Sequence, residues 1–238
     1  MAAWSWLVAA SPDAAADADR RTFDLAGLRL PVRGSAAVTI TTLVLLIDFS
    51  RLLMPEAVVA LGREPEALRF VALERVVLFF LLPLTVVMLA FRDRPSRYGL
   101  TLGDGRAGIT FAVGGCALMT PVVLWFAALP DVRAYYAVSG APLPDLLLTN
   151  LLDLTAAEFL FRGFLMLTLV RAIGPLGVLI AIMPFAYAHV GKPPLELLST
   201  LGGGLAYGWL AWRTRSIVWG SIAHVYILSL VTMAAGRT

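Results

Sequence analysis

The sequence predicts an all-α protein, a polytopic bundle of about seven membrane-spanning helices, and three observations predict it. Of 238 residues, 59% are hydrophobic and only 15% charged, against about 25% charged in an ordinary soluble domain. The apolar residues fall in runs of about 20, the length a helix needs to cross a bilayer. The arginines gather mostly at the ends of those runs, where cationic side chains anchor helices to headgroups. A net charge of +3 therefore describes helix anchors. No basic face is continuous enough to track a phosphate backbone, which excludes nucleic acid as an expected partner. The lone cysteine, Cys116, lies in an apolar stretch, can form no intrachain disulfide, and reads as a small core residue.

Residues 1–34 differ in texture from the rest, with Pro12, Asp13, Asp17, Asp19, Arg20, Arg21, Asp24, Arg29 and Arg33 among alanines. No cationic stretch precedes the short apolar segment Trp4 to Ala10, so the segment reads as a polar, solvated or interfacial leader and not a cleaved signal peptide. The bundle occupies 35–238. Its spans are expected at about Ala36 to Met54, Phe70 to Phe91, Ala107 to Leu129, Leu146 to Val170, Ile173 to His189, Leu195 to Trp212 and Ile217 to Ala235. Between the second and third spans lies RDRPSRYGLTLGDGRAG, with four arginines and the helix-stopping Pro95 and Gly99, read as a surface loop. The excess of arginine makes that loop cytoplasmic under the positive-inside rule. Arg63, Arg69, Arg75 and Lys192 are then read as falling in loops on the other side.

The fourth span is the informative one, because Asn150, Asp153, Thr155, Glu158 and Arg162 interrupt it. An ionisable group at the centre of a membrane helix costs roughly 2.5 to 3.5 kcal/mol on translocon scales, and such groups mark functional sites whose partner should be named. Residues four apart share a helix face, so Glu158 and Arg162 are each other's expected partner. The chain's two histidines lie on later spans, His189 closing PFAYAH and His224 in WGSIAHVYILSL. Either alone is explained by packing, and the Glu158–Arg162 pair alone by tying helices together. Together the four residues supply what hydrolysis requires: a base for water and preplaced donors for an oxyanion.

The stretches AEFLFRG, FAYAH and HVYIL resemble, in order and at helix-length separation, the three signatures of the CPBP intramembrane protease family. That family includes CAAX prenyl endopeptidases and bacteriocin-processing or Abi proteins, and its pattern is Glu-Glu-x-x-x-Arg, Phe-x-x-x-His and His-x-x-x-Asn or Asp. The resemblance covers about 146–235, and the RYGLTLGD loop is similar to the segment before that core. It implies an integral membrane endopeptidase, in a bacterial-type cell membrane, that acts on a membrane-associated peptide or protein among lipid. It matches Glu158 to the second glutamate, Arg162 to the arginine, Phe185 and His189 to the second motif and His224 to the last. Ala157 stands where the family has the glutamate that activates water with the second-motif histidine. Leu228 stands where it has Asn or Asp to help hold the oxyanion.

Glu196, placed in the first turn of the next helix by Pro193 and Pro194, is a candidate replacement base beside His189. A glutamate there also suits the helix dipole for purely structural reasons. Asp153, one turn before Ala157, is a second candidate. Ser221, Tyr226 or Ser229 could take the place of the lost oxyanion donor. His189, His224 and Glu158 also compose a catalytic zinc set, although no His-Glu-x-x-His is present and Arg162 competes with a cation for Glu158. The expected activity is hydrolysis of a peptide bond. Two alternatives stay open: an inactive relative that binds a membrane peptide, lipid or partner protein, and, more weakly, a small transporter, against which stands the lack of an inverted repeat. Gly202, Gly203, Gly204 and Gly208 read as a close-packing face. Trp209, Trp212 and Trp219 with Arg213 and Arg215 read as an interfacial belt, and Phe159, Phe161 and Phe164 as core.

Overall fold

The computed structural model describes residues 21–136 and 142–236, so the segment Trp4 to Ala10 and the acidic positions before Arg20 lie outside the described residues. A hairpin of β1 (Thr22–Leu25) and β2 (Leu28–Pro31) comes first, paired in register from Thr22 with Pro31 to Leu25 with Leu28. Its two-residue turn, Ala26 and Gly27, has positive φ at both positions, the backbone twist that suits a tight hairpin. Nine helices follow among the described residues: α1 (Val32–Ser50), α2 (Glu56–Ala60), α3 (Pro65–Ala90), α4 (Gly105–Ala127), α5 (Pro130–Tyr136), α6, α7 (Leu176–Tyr187), α8 (Pro194–Thr214) and α9 (Val218–Ala235). The rod α6 runs without a break through Leu143–Glu158, a π-helical stretch Phe159–Met166 and Leu167–Ile173. In α3 two π-helical stretches, Val76–Leu81 and Val86–Ala90, bracket Pro83, whose missing N–H breaks the regular ladder.

Each of the seven apolar runs is helical, and four helices, α1, α3, α4 and α9, are long and apolar enough to cross a membrane. Their outer faces carry exposed large apolar residues such as Leu43, Leu89, Val113 and Ile222, an arrangement suited to lipid as solvent. The protein is an integral membrane bundle. The centre is α6, in which every residue from 156 to 171 is buried; a helix buried all round is enclosed by protein. Phe159, Phe161 and Phe164 are core residues, as expected. Around α6 pack α1, α3, α8 and α9, with α4 against α9. Gly204 and Gly208 hold α8 close to α7 and α6, where an added Cβ would come within 3.2 Å of Ile182 and 3.0 Å of Val178 in α7 and 3.3 Å of Met166 in α6. Gly202 and Gly203 have no such neighbour within 4 Å, so the close-packing reading fails for these two.

Three local expectations are corrected. Arg75 is not in a loop. It lies inside α3, where its guanidinium donates to both oxygens of Asp48 at 2.9 and 3.0 Å and to Asp153 at 2.9 Å; two carboxylates from α1 and α6 hold it in the bundle, and Arg69 is likewise helical. The loop after α3 is not wholly a surface loop. Tyr98 is fully buried under the guanidinium of Arg171, 4.3 Å from the ring centroid. The Gly99 carbonyl accepts from Ile217 N–H at 3.0 Å, and the Thr214 carbonyl accepts from Asp104 N–H at 2.9 Å. Gly163 of α6 allows this docking, since a Cβ there would lie 2.6 Å from the Tyr98 carbonyl oxygen. The Trp and Arg belt is partly absorbed by the same loop: Trp219 donates to the Leu102 carbonyl at 2.9 Å, and buried Arg213 meets Asp104 at 2.9 Å. Asp104 also caps α4, accepting from Ala107 N–H at 3.1 Å. That bond, more than Arg213, holds its carboxyl below the usual carboxylate range.

Candidate active site

The polar residues of α6 meet α7, α8 and α9 at one wall of a cavity of about 1230 Å³. Glu158 is fully buried and Arg162 is 2% exposed; both lie just behind the lining. Arg162 Nη1 stands 3.3 Å from Glu158 Oε1, as the four-residue spacing predicts. The same oxygen is met at 2.9 Å by Nδ1 of His224, on α9. A carboxylate only accepts, so the His224 ring donates from Nδ1 and turns Nε2 away from Glu158. Gly220, one turn before His224, leaves the space this contact needs, because a Cβ there would approach Glu158 Oε2 to 3.2 Å. Glu158 Oε2 and both terminal nitrogens of Arg162 have no hydrogen-bond partner among the described residues. The Arg162 guanidinium instead faces Phe185, 3.9 Å from its ring centroid, a desolvated cation–π contact of about 2 kcal/mol.

Phe185 is the hub of the wall. Its ring centroid lies 4.5 Å from that of His189 and 6.1 Å from that of His224. His189 was expected within the fifth helix, but α7 ends at Tyr187 and His189 sits in the turn that follows. Its Nδ1 donates to the Phe185 carbonyl at 2.8 Å, satisfying one of the orphan carbonyls at a helix end. His189 and His224 both line the cavity, as does Ala157.

Glu196 does lie in the first turn of α8 and lines the same cavity, but it makes no hydrogen bond to His189. Its carboxylate accepts from Tyr136 Oη at 2.6 and 2.8 Å and from Lys192 Nζ at 2.9 Å. Burial, and then the Glu196 carboxylate, push the Tyr136 phenol well above its ordinary range, so Tyr136 is a fixed proton donor in this cluster. Asp153 is engaged by Arg75. Of the residues considered for the oxyanion, Ser221 donates to the Ile217 carbonyl at 3.0 Å, Tyr226 pairs with Thr120 at 2.7 Å, and Ser229 accepts from Asn150 at 3.0 Å.

Sequence reasoning missed Tyr207, whose ring lies parallel to His224 at 4.9 Å and 18°. It also missed Arg75, Asp48 and Tyr136, which all line the cavity. The donor set does not fit a metal ion. No group of three His, Cys, Asp or Glu among the described residues could hold one. Glu158 Oε1 already faces Arg162 and His224 Nδ1, and the Arg162 guanidinium beside the carboxylate would repel a cation approaching it.

The helices that build this wall, α6 to α9, fall almost entirely within one family match. Residues 139–229 match the Rce1-like, type II CAAX prenyl endopeptidase family. The Rce1-like segment spans all three motifs on which the CPBP resemblance rests, from AEFLFRG to HVYIL, and that resemblance is therefore a family match over this part of the chain. No curated protein and no solved structure matches the chain.

Proposed function

We propose that the chain is an intramembrane endopeptidase of the CAAX-protease type, hydrolysing a peptide bond of a membrane-associated substrate. The motif resemblance implies a bacterial-type cell membrane as its setting. The observation that carries the reading is the 2.9 Å contact between Glu158 and His224 at the cavity wall, inside the Rce1-like segment. A carboxylate behind an imidazole fixes its tautomer and stabilises the imidazolium, so that Nε2 can take a proton from water. The family pattern gives the water to the second-motif histidine with the glutamate missing at Ala157. In this chain the histidine backed by a carboxylate is His224, which favours His224 as the base. His189, with Nδ1–H committed to Phe185, offers only the Nε2 lone pair and orients water or substrate. Arg162, 3.3 Å away on the same helix face, holds the Glu158 carboxylate in place. Glu196 acts as a latch between α5, the His189 turn and α8.

A membrane-tethered peptide, incubated with the protein in bilayer discs, tests this. Wild type should cut it, and His224→Ala and Glu158→Gln should each lower the rate by about 10²-fold or more. Cutting that survives both substitutions overturns the reading. One observation favours a second reading, a relative that binds such a chain without cutting it: among the described residues no carboxylate is hydrogen-bonded to His189, and Ala157 and Leu228 lack the family side chains. Binding by wild type with no cleavage, and cleavage only in Ala157→Glu with Leu228→Asn, would select it.

A further inference from the structure

Hydrolysis at this wall needs a donor for the oxygen that becomes charged, and the residue expected to help is replaced by Leu228. Ser221, Tyr226 and Ser229 are engaged elsewhere, the guanidinium of Arg162 lies behind the lining, and the Nδ1 donor of His189 is committed to Phe185. The hydroxyl residue stacked on His224 is different. Tyr207, on α8, lines the cavity beside His224, and its hydroxyl makes no hydrogen bond to any described residue. Its ring is fixed from two sides: it stacks on His224 at 4.9 Å, and the Arg162 guanidinium carbon lies 5.5 Å from its centroid. A polar group with a rigid mount and no partner of its own, next to the candidate base, is preorganised for a charge that develops only during reaction.

We propose that Tyr207 is a catalytic residue of this site, the donor that stabilises the tetrahedral oxyanion in place of the amide or acid absent at position 228. The inference rests on the endopeptidase reading above. In the step, a water oxygen bonds to the scissile carbonyl carbon while its proton passes to His224 Nε2. The carbonyl π pair moves onto the carbonyl oxygen, which accepts a hydrogen bond from Tyr207 Oη–H. Collapse reforms the C=O bond and breaks the C–N bond, and the leaving amine takes the proton from His224 Nε2. The products are a carboxylic acid and an amine, and Tyr207 keeps its proton throughout.

Tyr207→Phe tests this, because it preserves the ring stack and removes only the hydroxyl. With the membrane-tethered peptide in bilayer discs, kcat should fall about 10²-fold, the loss typical for one oxyanion donor, while KM stays within about threefold, since the ground-state carbonyl gains little from that donor. A phosphinic isostere of the same peptide, which mimics the tetrahedral centre, should lose affinity for the variant by about the same factor. Incorporation of 3-fluorotyrosine at 207, which alters hydroxyl acidity with almost no change of shape, keeps the test open if the Phe variant folds poorly; kcat should then move with the acidity of the phenol. A kcat within about twofold of wild type in these variants overturns the role of Tyr207 and leaves the endopeptidase reading intact. Absence of any cleavage by wild type overturns both.

Discussion

Replacing Arg162 by Ala should damage the fold more than removing the whole charge pair. The guanidinium lies 3.3 Å from Glu158, and at an effective dielectric of about 20 that separation is worth about 5 kcal/mol. Its cation–π contact with Phe185 adds about 2 kcal/mol. Both are offset by the burial of the cation itself, which the substitution relieves. What Arg162→Ala leaves is a fully buried carboxylate with His224 as its one remaining partner, and breaking a buried pair from one side costs about 3 to 5 kcal/mol. The double variant Glu158→Gln with Arg162→Met keeps the volume and strands no charge, so its loss should be nearer 1 kcal/mol. Thermal unfolding in detergent, read by fluorescence-detected size exclusion, measures both. Equal melting temperatures and equal folded yields for the single and double variants would refute the reasoning, because the guanidinium would then have no coupling to Glu158.

Three further outcomes follow from the same geometry. Glu196→Ala should lower thermal stability while leaving the cleavage rate within about threefold, since Glu196 bonds Tyr136 and Lys192 instead of His189; a loss as large as that of His224→Ala would make it the base after all. Protein purified without strong chelator should carry clearly less than one zinc per chain by elemental analysis, because Arg162 and His224 already occupy Glu158; one zinc, lost when His189 or His224 becomes Ala, would show the opposite. The Asp104 carboxyl is held below its ordinary range, so its contribution to stability is present above that range and is lost as pH falls through the lowered value. Asp104→Asn should therefore flatten the acid limb of a melting-temperature profile, and an unchanged acid limb would show that the cap is not coupled to folding.

What could be read from the chain was what helix geometry carries over short distances. The four-residue step joined Glu158 to Arg162, the apolar runs located the seven longest helices but not the short α2 and α5, and Pro193 with Pro194 placed Glu196 in a first turn. What could not be read depends on residues far apart in sequence. Arg75 looked like a loop anchor because Asp48 and Asp153, its partners in α1 and α6, are 27 and 78 positions away. Glu196 is near His189 along the chain, yet Tyr136, 60 positions earlier, takes its carboxylate. Tyr207 gave no signal, because an aromatic in a membrane helix is more often packing than chemistry, and only the stack on His224 separates it from the others. The buried loop around Tyr98 carried the turn residues of a surface segment, and the contact with Gly163 that buries it leaves no periodic trace.

The enclosure of α6 also has a meaning for how the protein is made. In order of synthesis Asp48 and Arg75 precede α6, so Asp153 can meet ready partners as it enters. Glu158 and Arg162 enter before the side chains that will surround them, since Phe185, Tyr207 and His224 all come later. During that interval the i, i+4 pair is the one neutralising contact the helix carries within itself. A newborn α6 can therefore wait in the bilayer as an internally balanced segment, and α7, α8 and α9 close over it as they arrive. Arg162 is in this sense an escort for Glu158, needed before there is any pocket to organise.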